Sequence, residues 1–299
     1  MPEMLIIANP VSSGGRGQAV GSEVARRLAQ RGVQADLVFT TAPGDGRRLA
    51  AQALAEGCRR ITVCGGDGTV HEVAGALATS PAALGIAPCG RGNDLARVLG
   101  IPQDLESVIT TLVEGTKRRI DLGKIGERYF CTVACMGFDS EAAHLAHQGV
   151  VPFSGTAAYI CAMLMTLFRY RSPMVQLEGD FGTLAGPILL AAAGNTTTYG
   201  GGMKITPQAL WDDGLLDICM VRDIPKPTVL WYFPRIFSGT HLALPFVETR
   251  RTRQLHIQTS RPMWIYADGE PVCRTPVTIT VAQQALTVLC PPSQPPQKG

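Results

Sequence analysis

The chain has 299 residues, 45% hydrophobic and 17% charged, a composition that supports a sizeable folded core and excludes a disordered chain. Its net charge of +3 is too small to argue for nucleic acid as a partner. Nine cysteines without paired spacing, and no secretory leader before them, read as reduced, mostly buried thiols of a cytoplasmic protein.

Residues 1–121 alternate strand and helix. Met4 to Ala8 predicts a strand, Asn9 to Gly15 a loop, and Gln18 to Arg31 a helix. Ala35 to Thr40 predicts the second strand, Gly46 to Gly57 a helix, Ile61 to Cys64 the third strand and Leu84 to Ala87 the fourth. This order implies a parallel sheet covered on both faces, a Rossmann-like α/β domain. In such sheets ligands bind beyond the C-terminal strand ends, where every Gly-rich loop of this half falls.

After Asp121 the pattern turns to short strands. They are Tyr129 to Ala134, Met174 to Leu177, Ile188 to Ala193, Leu216 to Val221, Leu255 to Gln258, Met263 to Tyr266, Val277 to Val281 and Leu286 to Leu289. Helices are expected at Ser140 to His147, Thr156 to Arg169 and Thr228 to Phe237. Residues 122–290 therefore read as a β-sandwich, followed by a loose, Pro-rich tail over 291–299. The uncharged run from Gln148 to Phe168 is broken early by Pro152, Ser154 and Gly155, and its apolar remainder is too short to span a membrane. That remainder is apolar on all sides, so it belongs in a core or against lipid.

The stretch Cys64-Gly65-Gly66-Asp67-Gly68-Thr69-Val70-His71-Glu72 joins the third strand to the next helix. Its glycines let backbone amides approach a phosphate that a Cβ would hold off. Thr69 and Glu72 have capping-box spacing, which predicts a helix beginning at Thr69 with its positive end at the loop. Asp67 inside this anion site points to a metal-bound phosphate, hence a nucleotide. Two more loops offer similar equipment: Asn9-Pro10 with Ser12, Ser13, Gly14 and Gly15, and Gly90-Arg91-Gly92-Asn93-Asp94 before a helix from Leu95 to Leu99. Asn93 or Asp94 is expected as the N-cap of that helix. Neither the P-loop Gly-Lys-Ser/Thr signature nor the Gly-x-Gly-x-x-Gly dinucleotide fingerprint is present. Lys117-Arg118-Arg119 and the group Arg250, Arg251 and Arg253 read as solvated surface. His144-x-x-His147 reads as an ordinary helix face lacking a third metal ligand.

Taken in order, the motifs resemble the diacylglycerol kinase catalytic-domain family, and within it the bacterial YegS-like members. They are Asn9-Pro10-x-Ser12, Gly65-Gly66-Asp67-Gly68-Thr69, Gly90-x-Gly92-Asn93-Asp94-x-Ala96-Arg97, Ile120-Asp121 and Gly137-Phe138-Asp139. The series continues with Gly200-Gly201-Gly202-Met203, Pro207-x-Ala209, Asp213-Gly214-Leu215-Leu216-Asp217 and Asp268-Gly269-Glu270. The resemblance implies that Thr40 and the segment Gly65, Gly66, Asp67, Gly68, Thr69, Val70, His71 bind ATP, with Asp67 beside the phosphates and their magnesium ion. Asn9, Arg91 and Asn93 stand in the matching loops as further nucleotide contacts. Asp94 and Asp121 match carboxylates that order a metal and water network. The Asp-Gly-Glu turn matches the catalytic turn, with Glu270 or Asp268 taking the proton from the attacking hydroxyl. Leu210, Asp213 and Leu215 match a separate structural magnesium site, the leucines giving backbone carbonyls, and calcium would also suit such oxygen ligands. Two positions depart from the family pattern. Arg91 replaces the usual Thr and offers a guanidinium to phosphate, and His71 replaces a common Asn, which makes that contact pH-sensitive.

What this resemblance implies is an ATP-dependent kinase for a hydroxyl of a membrane lipid, resembling diacylglycerol or phosphatidylglycerol. Such an enzyme would work as a cytoplasmic protein peripheral to the inner face of the membrane. A soluble-substrate kinase of the NAD kinase type shares Gly-Gly-Asp-Gly and is the alternative, with the Asp-Gly-Glu turn and the Gly90-to-Arg97 motif weighing against it. A non-enzymatic sensor is disfavoured because no expected carboxylate is missing. The sequence leaves the particular lipid and the oligomeric state open.

Overall fold

The computed structural model describes the backbone of residues 3–147 and 156–292, and the side chains of residues 3–145 and 163–292. The expectations for the His147 side chain, for residues 148–155 and for the tail beyond Pro292 lie outside these described residues.

The first half runs β1 (Met4–Ala8), α1 (Ser12–Gln30), β2 (Ala35–Phe39), α2 (Asp45–Ala55), β3 (Arg60–Gly65), α3 (Asp67–Leu77), β4 (Ala83–Pro88), α4 (Asp94–Val98), α5 (Leu105–Glu114) and β5 (Thr116–Ile125). β1, β2, β3 and β4 are parallel, in the order β2-β1-β3-β4. Successive residues of β1 face opposite helical layers, as strand geometry requires. Ile6 and Ala8 pack with Val24 and Leu28 of α1 and Val108 and Leu112 of α5. Ile7 packs with Ala50 and Ala53 of α2 and Val73 and Leu77 of α3. Helices thus cover both faces, and the C-terminal ends of all four strands open at one edge.

The second half comprises β6 (Arg128–Phe130), β7 (Val133–Gly137), α6 (Phe138–His147), α7 (Thr156–Arg169), β8 (Met174–Gly179), β9 (Gly182–Gly194) and β10 (Leu216–Arg222). It continues with α8 (Lys226–Tyr232), α9 (Arg235–Ser238), β11 (Val247–Thr252), β12 (Gln254–Thr259), β13 (Trp264–Ala267), β14 (Glu270–Arg274) and β15 (Val277–Cys290). It is a β-sandwich. β9 belongs to both layers: residues 182–187 pair with β8, and residues 188–194 pair with β7 and β10. Met136, Ala191 and Ile218 from one layer meet Val175, Leu177 and Ile257 from the other in a shared core.

β15 ties the lobes together. Its residues 277–280 pair antiparallel with β12, while Thr287 and Val288 pair parallel with Ala83 and Leu84 of β4. Along the opposite edge it pairs with β5 over most of its length, with a bulge between Ala282 and Leu286. The two strands expected at Val277 to Val281 and Leu286 to Leu289 are therefore one bulged strand. β5 runs across the boundary expected at residue 121, so the sheet itself carries the chain from lobe to lobe.

β5 and β11 had no clear strand signal because their charges obscure the alternation. Lys117, Arg118 and Arg119 occupy the half of β5 that pairs with β15 alone, and Arg250 and Arg251 lie on β11, which pairs with β10 alone. Edge strands tolerate charge on either face and are protected by it against pairing with other chains. The helix expected over Thr228 to Phe237 is two short helices, interrupted at Pro234, whose ring removes an amide donor. The eight cysteines with described side chains are unbridged.

Leu286 is wholly buried where β15 enters the first lobe. We expect Leu286→Ala to lower stability by about 2–5 kcal/mol. Because one strand serves both lobes, calorimetry should still record a single transition; two separated transitions would show that β15 does not couple them.

Candidate active site

Parallel pairing of β1, β3 and β4 brings three strand-end loops together. Asn9 follows β1, donates its amide to Cys64 O at 2.9 Å, and donates Nδ2–H to Thr69 Oγ1 at 3.1 Å. The loops after β3 and β4 are packed so closely that a Cβ on Gly90 would stand 2.7 Å from Gly66 Cα. Bulk at either position would push the loops apart. Gly68 by contrast has open space around it, on the side from which a phosphate can approach.

α3 begins at Asp67, two residues ahead of the capping-box expectation, with Gly66 as its N-cap. Glu72 does not turn back to Thr69; its carboxylate accepts the amides of Gly44 and Gly46 at 2.8 and 2.9 Å and fastens α2 to α3. The N-cap expectation for α4 also changes. Asn93 occupies the cap position with φ of 51°, but its side chain folds back onto Gly90, accepting from the Gly90 amide and donating to the Gly90 carbonyl. Asp94 is the first helical residue. Asp67 does the capping from outside, accepting the amides of Asn93 and Asp94 at 2.8 and 2.7 Å. Sequence reasoning missed this because the partners are 26 and 27 residues apart.

Asp94 in turn accepts from Arg97 at 2.9 Å and from the Gly201 amide at 2.9 Å, which links the first lobe to the glycine loop of the second. Burial raises the Asp67 carboxyl above its ordinary value, and the Asp94 charge adds to this, against the two amides that lower it. A cation beside Asp67 would reverse that balance.

Across the cleft stands the Asp268-Gly269-Glu270 turn. The Asp268 side chain is only 4% exposed, its φ is a left-handed 49°, and its carboxylate has four donors. Cys131 and Thr132 give backbone amides at 2.7 Å each, Thr132 gives its hydroxyl at 2.6 Å, and His71 gives Nδ1–H at 2.8 Å. Burial alone would raise this carboxyl, but the hydrogen bond and charge of His71, with the Cys131 and Thr132 donors, hold it below its ordinary value. For His71 burial opposes the charged form; Asp268 outweighs it and the imidazole is raised. Glu270 is exposed at the start of β14.

A cleft of about 880 Å³ runs between the lobes, lined by Asp67, Val70, His71, Arg91 and Asp94 from one side. Thr132, Tyr199, Gly201 and Asp268 line the other. Not every expected site residue reaches it. Asp121 is fully buried, accepting amides from Gly214 at 2.7 Å and from Gln284, in the β15 bulge, at 2.6 Å. Thr40 extends the β1–β2 pairing by donating its amide to Ala8 O at 2.9 Å. Leu210, Asp213 and Leu215 share one loop, where Asp213 accepts the Leu215 amide at 3.0 Å and already holds a positive partner, the Arg251 guanidinium. Among the described residues no cluster of three His, Cys, Asp or Glu side chains forms a metal cage. His144 hydrogen-bonds the Tyr266 hydroxyl at 3.1 Å and lies against Trp264, so it is half-buried rather than an open helix face.

A second, narrower cavity of about 90 Å³ adjoins the cleft, with walls almost wholly apolar. Asp139, Met163, Tyr199, Met203 and Phe233 border both spaces. Asp139 accepts from the Ser140 amide at 2.8 Å and the Tyr199 hydroxyl at 3.0 Å, and burial pushes its carboxyl up to about 6. No signal in the sequence marked this junction beyond the Gly137-Phe138-Asp139 motif.

The diacylglycerol kinase catalytic domain matches residues 3–125, and a YegS C-terminal, NAD kinase beta sandwich-like domain matches residues 132–290. The chain belongs to the diacylglycerol kinase family. A diacylglycerol kinase of Mycobacterium tuberculosis is 37% identical over 293 residues, covering 95% of this chain and 94% of the relative. A Pseudomonas fluorescens protein named "Probable lipid kinase YegS-like" is 34% identical over 292 residues, covering 93% and 94%. The crystal structure of a diacylglycerol kinase from Bacillus anthracis str. Sterne shares the fold, with a TM-score of 0.76 over 98% of each chain at 22% identity. The protein is therefore a kinase, a phosphotransferase with an alcohol acceptor, of a family whose reaction draws on ATP and a divalent metal.

Two outcomes are expected. A Cβ at Gly92 would stand 2.5 Å from Asp67 Oδ2, so Gly92→Ala should weaken ATP binding by about tenfold or more, read by calorimetric titration. Asp139 has a raised carboxyl, so its contribution to stability is full below the ordinary value of 3.8 and is lost as pH rises through about 6. Asp139→Asn should therefore raise the melting temperature at pH 8 relative to wild type and leave it nearly unchanged at pH 4.

Proposed function

We propose that the protein transfers the γ-phosphoryl group of ATP to a hydroxyl of a membrane lipid such as diacylglycerol. The observation that carries this reading is the apolar cavity sharing its walls with the nucleotide cleft. A purely water-soluble acceptor needs no greasy recess beside the reacting centre, whereas an acyl chain does.

Phosphoryl transfer relies on positioning and charge neutralisation more than on covalent chemistry. The amides of Gly65 to Thr69 and the N-terminus of α3 would hold the triphosphate, and Arg91, exposed at the cleft, would reach a phosphate oxygen. Magnesium usually takes one or two carboxylates together with substrate phosphates, and Asp67 suits that part. Asn93 and Asp121 hold neighbouring loops in place through their hydrogen bonds, and Thr40 follows β2 at the same strand-end edge. At the loop of Leu210, Asp213 and Leu215, Arg251 supplies the positive charge that a structural cation would otherwise bring.

The outer side of the apolar cavity supports contact with a membrane. Val229, Tyr232 and Phe233 of the α8 region face inward to the cavity. Leu230 and Trp231 face out, Trp231 with 78% of its surface exposed, and Phe237 on α9 is 51% exposed. Leu164 and Phe168 on α7 are exposed as well, and Lys226 and Arg235 supply positive charge beside the patch. Aromatic side chains with flanking cations suit the headgroup layer of an anionic bilayer. No helix among the described residues is long and apolar enough to cross a membrane.

Radiolabelled ATP offered with dioleoylglycerol and phosphatidylglycerol in mixed micelles, and separately with NAD, tests the reading. Label in the organic phase is the expected result; label on NAD alone would overturn it. Asp67→Ala should lower lipid labelling by at least about a hundredfold. Val229→Trp, which fills the cavity, should depress transfer to dioleoylglycerol far more than transfer to a short-chain diacylglycerol. Trp231→Ala should reduce sedimentation with anionic vesicles while sparing turnover of the short-chain substrate.

A further inference from the structure

We propose that a basic pocket between α6, the end of α7 and the β12–β13 connection is a second anion site, built for a phosphomonoester group. The pocket holds about 550 Å³ and is lined by Glu141 and His144 of α6, Arg169 of α7, Tyr170, Arg171 and Arg261. None of its described lining residues borders the nucleotide cleft or the apolar recess, so it is separate from both. Tyr170 forms the partition: its ring meets Phe138, a wall of the recess, edge-on with 6.1 Å between centroids.

The first observation that points to a ligand is a set of cations without counter-charges. Among the described residues Arg169, Arg171 and Arg261 pair with no carboxylate, whereas Arg26, Arg27 and Arg48 on other surfaces do. Three guanidiniums around the single carboxylate of Glu141 leave an excess of positive charge in the pocket. The fold holds them there. The Ser260 amide donates to Met174 O at 2.9 Å and the Met174 amide to Ser260 Oγ at 3.2 Å, which brings the β12–β13 connection against the chain leaving α7. Arg261 then donates Nη2–H to the Arg171 carbonyl at 3.2 Å, and its own carbonyl accepts from the Thr259 hydroxyl at 2.7 Å. The carbonyl end of α7 has a cation of its own in Lys226, whose Nζ donates to Tyr170 O at 2.8 Å.

The second observation is the Tyr170 hydroxyl. Tyr170 is 7% exposed, and its hydroxyl oxygen is buried with no hydrogen-bond partner, a costly state for a donor. Of the three cavities it borders this one alone. Burial raises the phenol, Asp139, Glu141 and Asp223 add to that, and Arg261 of the pocket wall opposes it. The hydroxyl therefore keeps its proton and faces the pocket as a donor. A phosphomonoester fits this donor set. Its dianion answers the charge excess, its terminal oxygens accept from forked guanidiniums in pairs, and one of them can take the tyrosine O–H. A carboxylate offers less charge and one oxygen fewer. Glu141 in turn can accept a hydroxyl of the esterified group. Leu164 and Phe168 are exposed on α7 next to the pocket residues Met165 and Arg169, so the phosphate can belong to a lipid head or to a soluble ester.

The two sources are separated with the full-length protein, its nucleotide cleft filled by ADP and magnesium. Titration calorimetry with glycerol 3-phosphate reads a soluble ester. Sedimentation with phosphatidylcholine vesicles carrying either phosphatidic acid or phosphatidylglycerol reads a lipid monoester against a diester. Wild type should bind glycerol 3-phosphate, prefer phosphatidic acid, or both. Arg171 and Arg261 are exposed, so substituting them spares the fold. Arg171→Gln and Arg261→Gln should each weaken the binding by about tenfold, and Tyr170→Phe by about fivefold. Because the hydroxyl is unpartnered in the free protein, Tyr170→Phe should leave the melting temperature unchanged or raise it. Binding of glycerol 3-phosphate that the variants weaken assigns a soluble source. A preference for phosphatidic acid that they abolish, without binding of the free ester, assigns a lipid. Neither glycerol 3-phosphate binding nor a phosphatidic acid preference in wild type, binding that all three variants retain, or a lower melting temperature in Tyr170→Phe overturns the site.

Discussion

A carboxylate removed from water is tolerated only when donors surround its oxygens, and this molecule meets that requirement by drawing donors from distant segments. Asp67 takes two amides of the α4 terminus, and Asp94 takes an amide of the Gly200 loop. Asp121 clamps the bulge of β15 against the loop at Gly214, and Asp268 gathers Cys131, Thr132 and His71. Each bond holds two pieces of chain that local structure alone would leave independent. The cleft keeps its shape because these acids are satisfied.

The same requirement separates architecture from chemistry among the acidic residues. Asp121 has no oxygen turned to the cleft and serves the lobe junction. Asp268 is at the cleft but spent on its donors, two amides, a hydroxyl and the His71 imidazole. Asp67 spends each oxygen on one amide while its side chain still lines the cleft, which leaves each oxygen a lone pair for a further partner. Asp139 sits where the polar cleft meets the apolar recess.

Much of the fold was legible from residues. The strand–helix alternation of the first lobe follows from apolar runs at the right periods, and the three glycine loops fall at the strand ends because parallel strands put them there. Legibility failed where charge lay on edge strands, as in β5 and β11, and where a bulge split the pattern of β15. It failed again at helix starts. The spacing of Thr69 and Glu72 fits a capping box, but Glu72 found better donors on α2, and Asn93 yielded its capping role to Asp67. In each case a tertiary partner outcompeted the local one.

By itself the sequence determined the two-lobed class, the glycine loops at the strand ends and the family, because these depend on periodicity and on short motifs whose parts are close together. It also contained the unusual histidine at position 71. Only the tertiary structure decided what that histidine touches, which acids face the cleft, and that an apolar recess lies beside it. Those facts depend on contacts between residues more than a hundred positions apart, such as His71 with Asp268, and no local pattern encodes the distance between them.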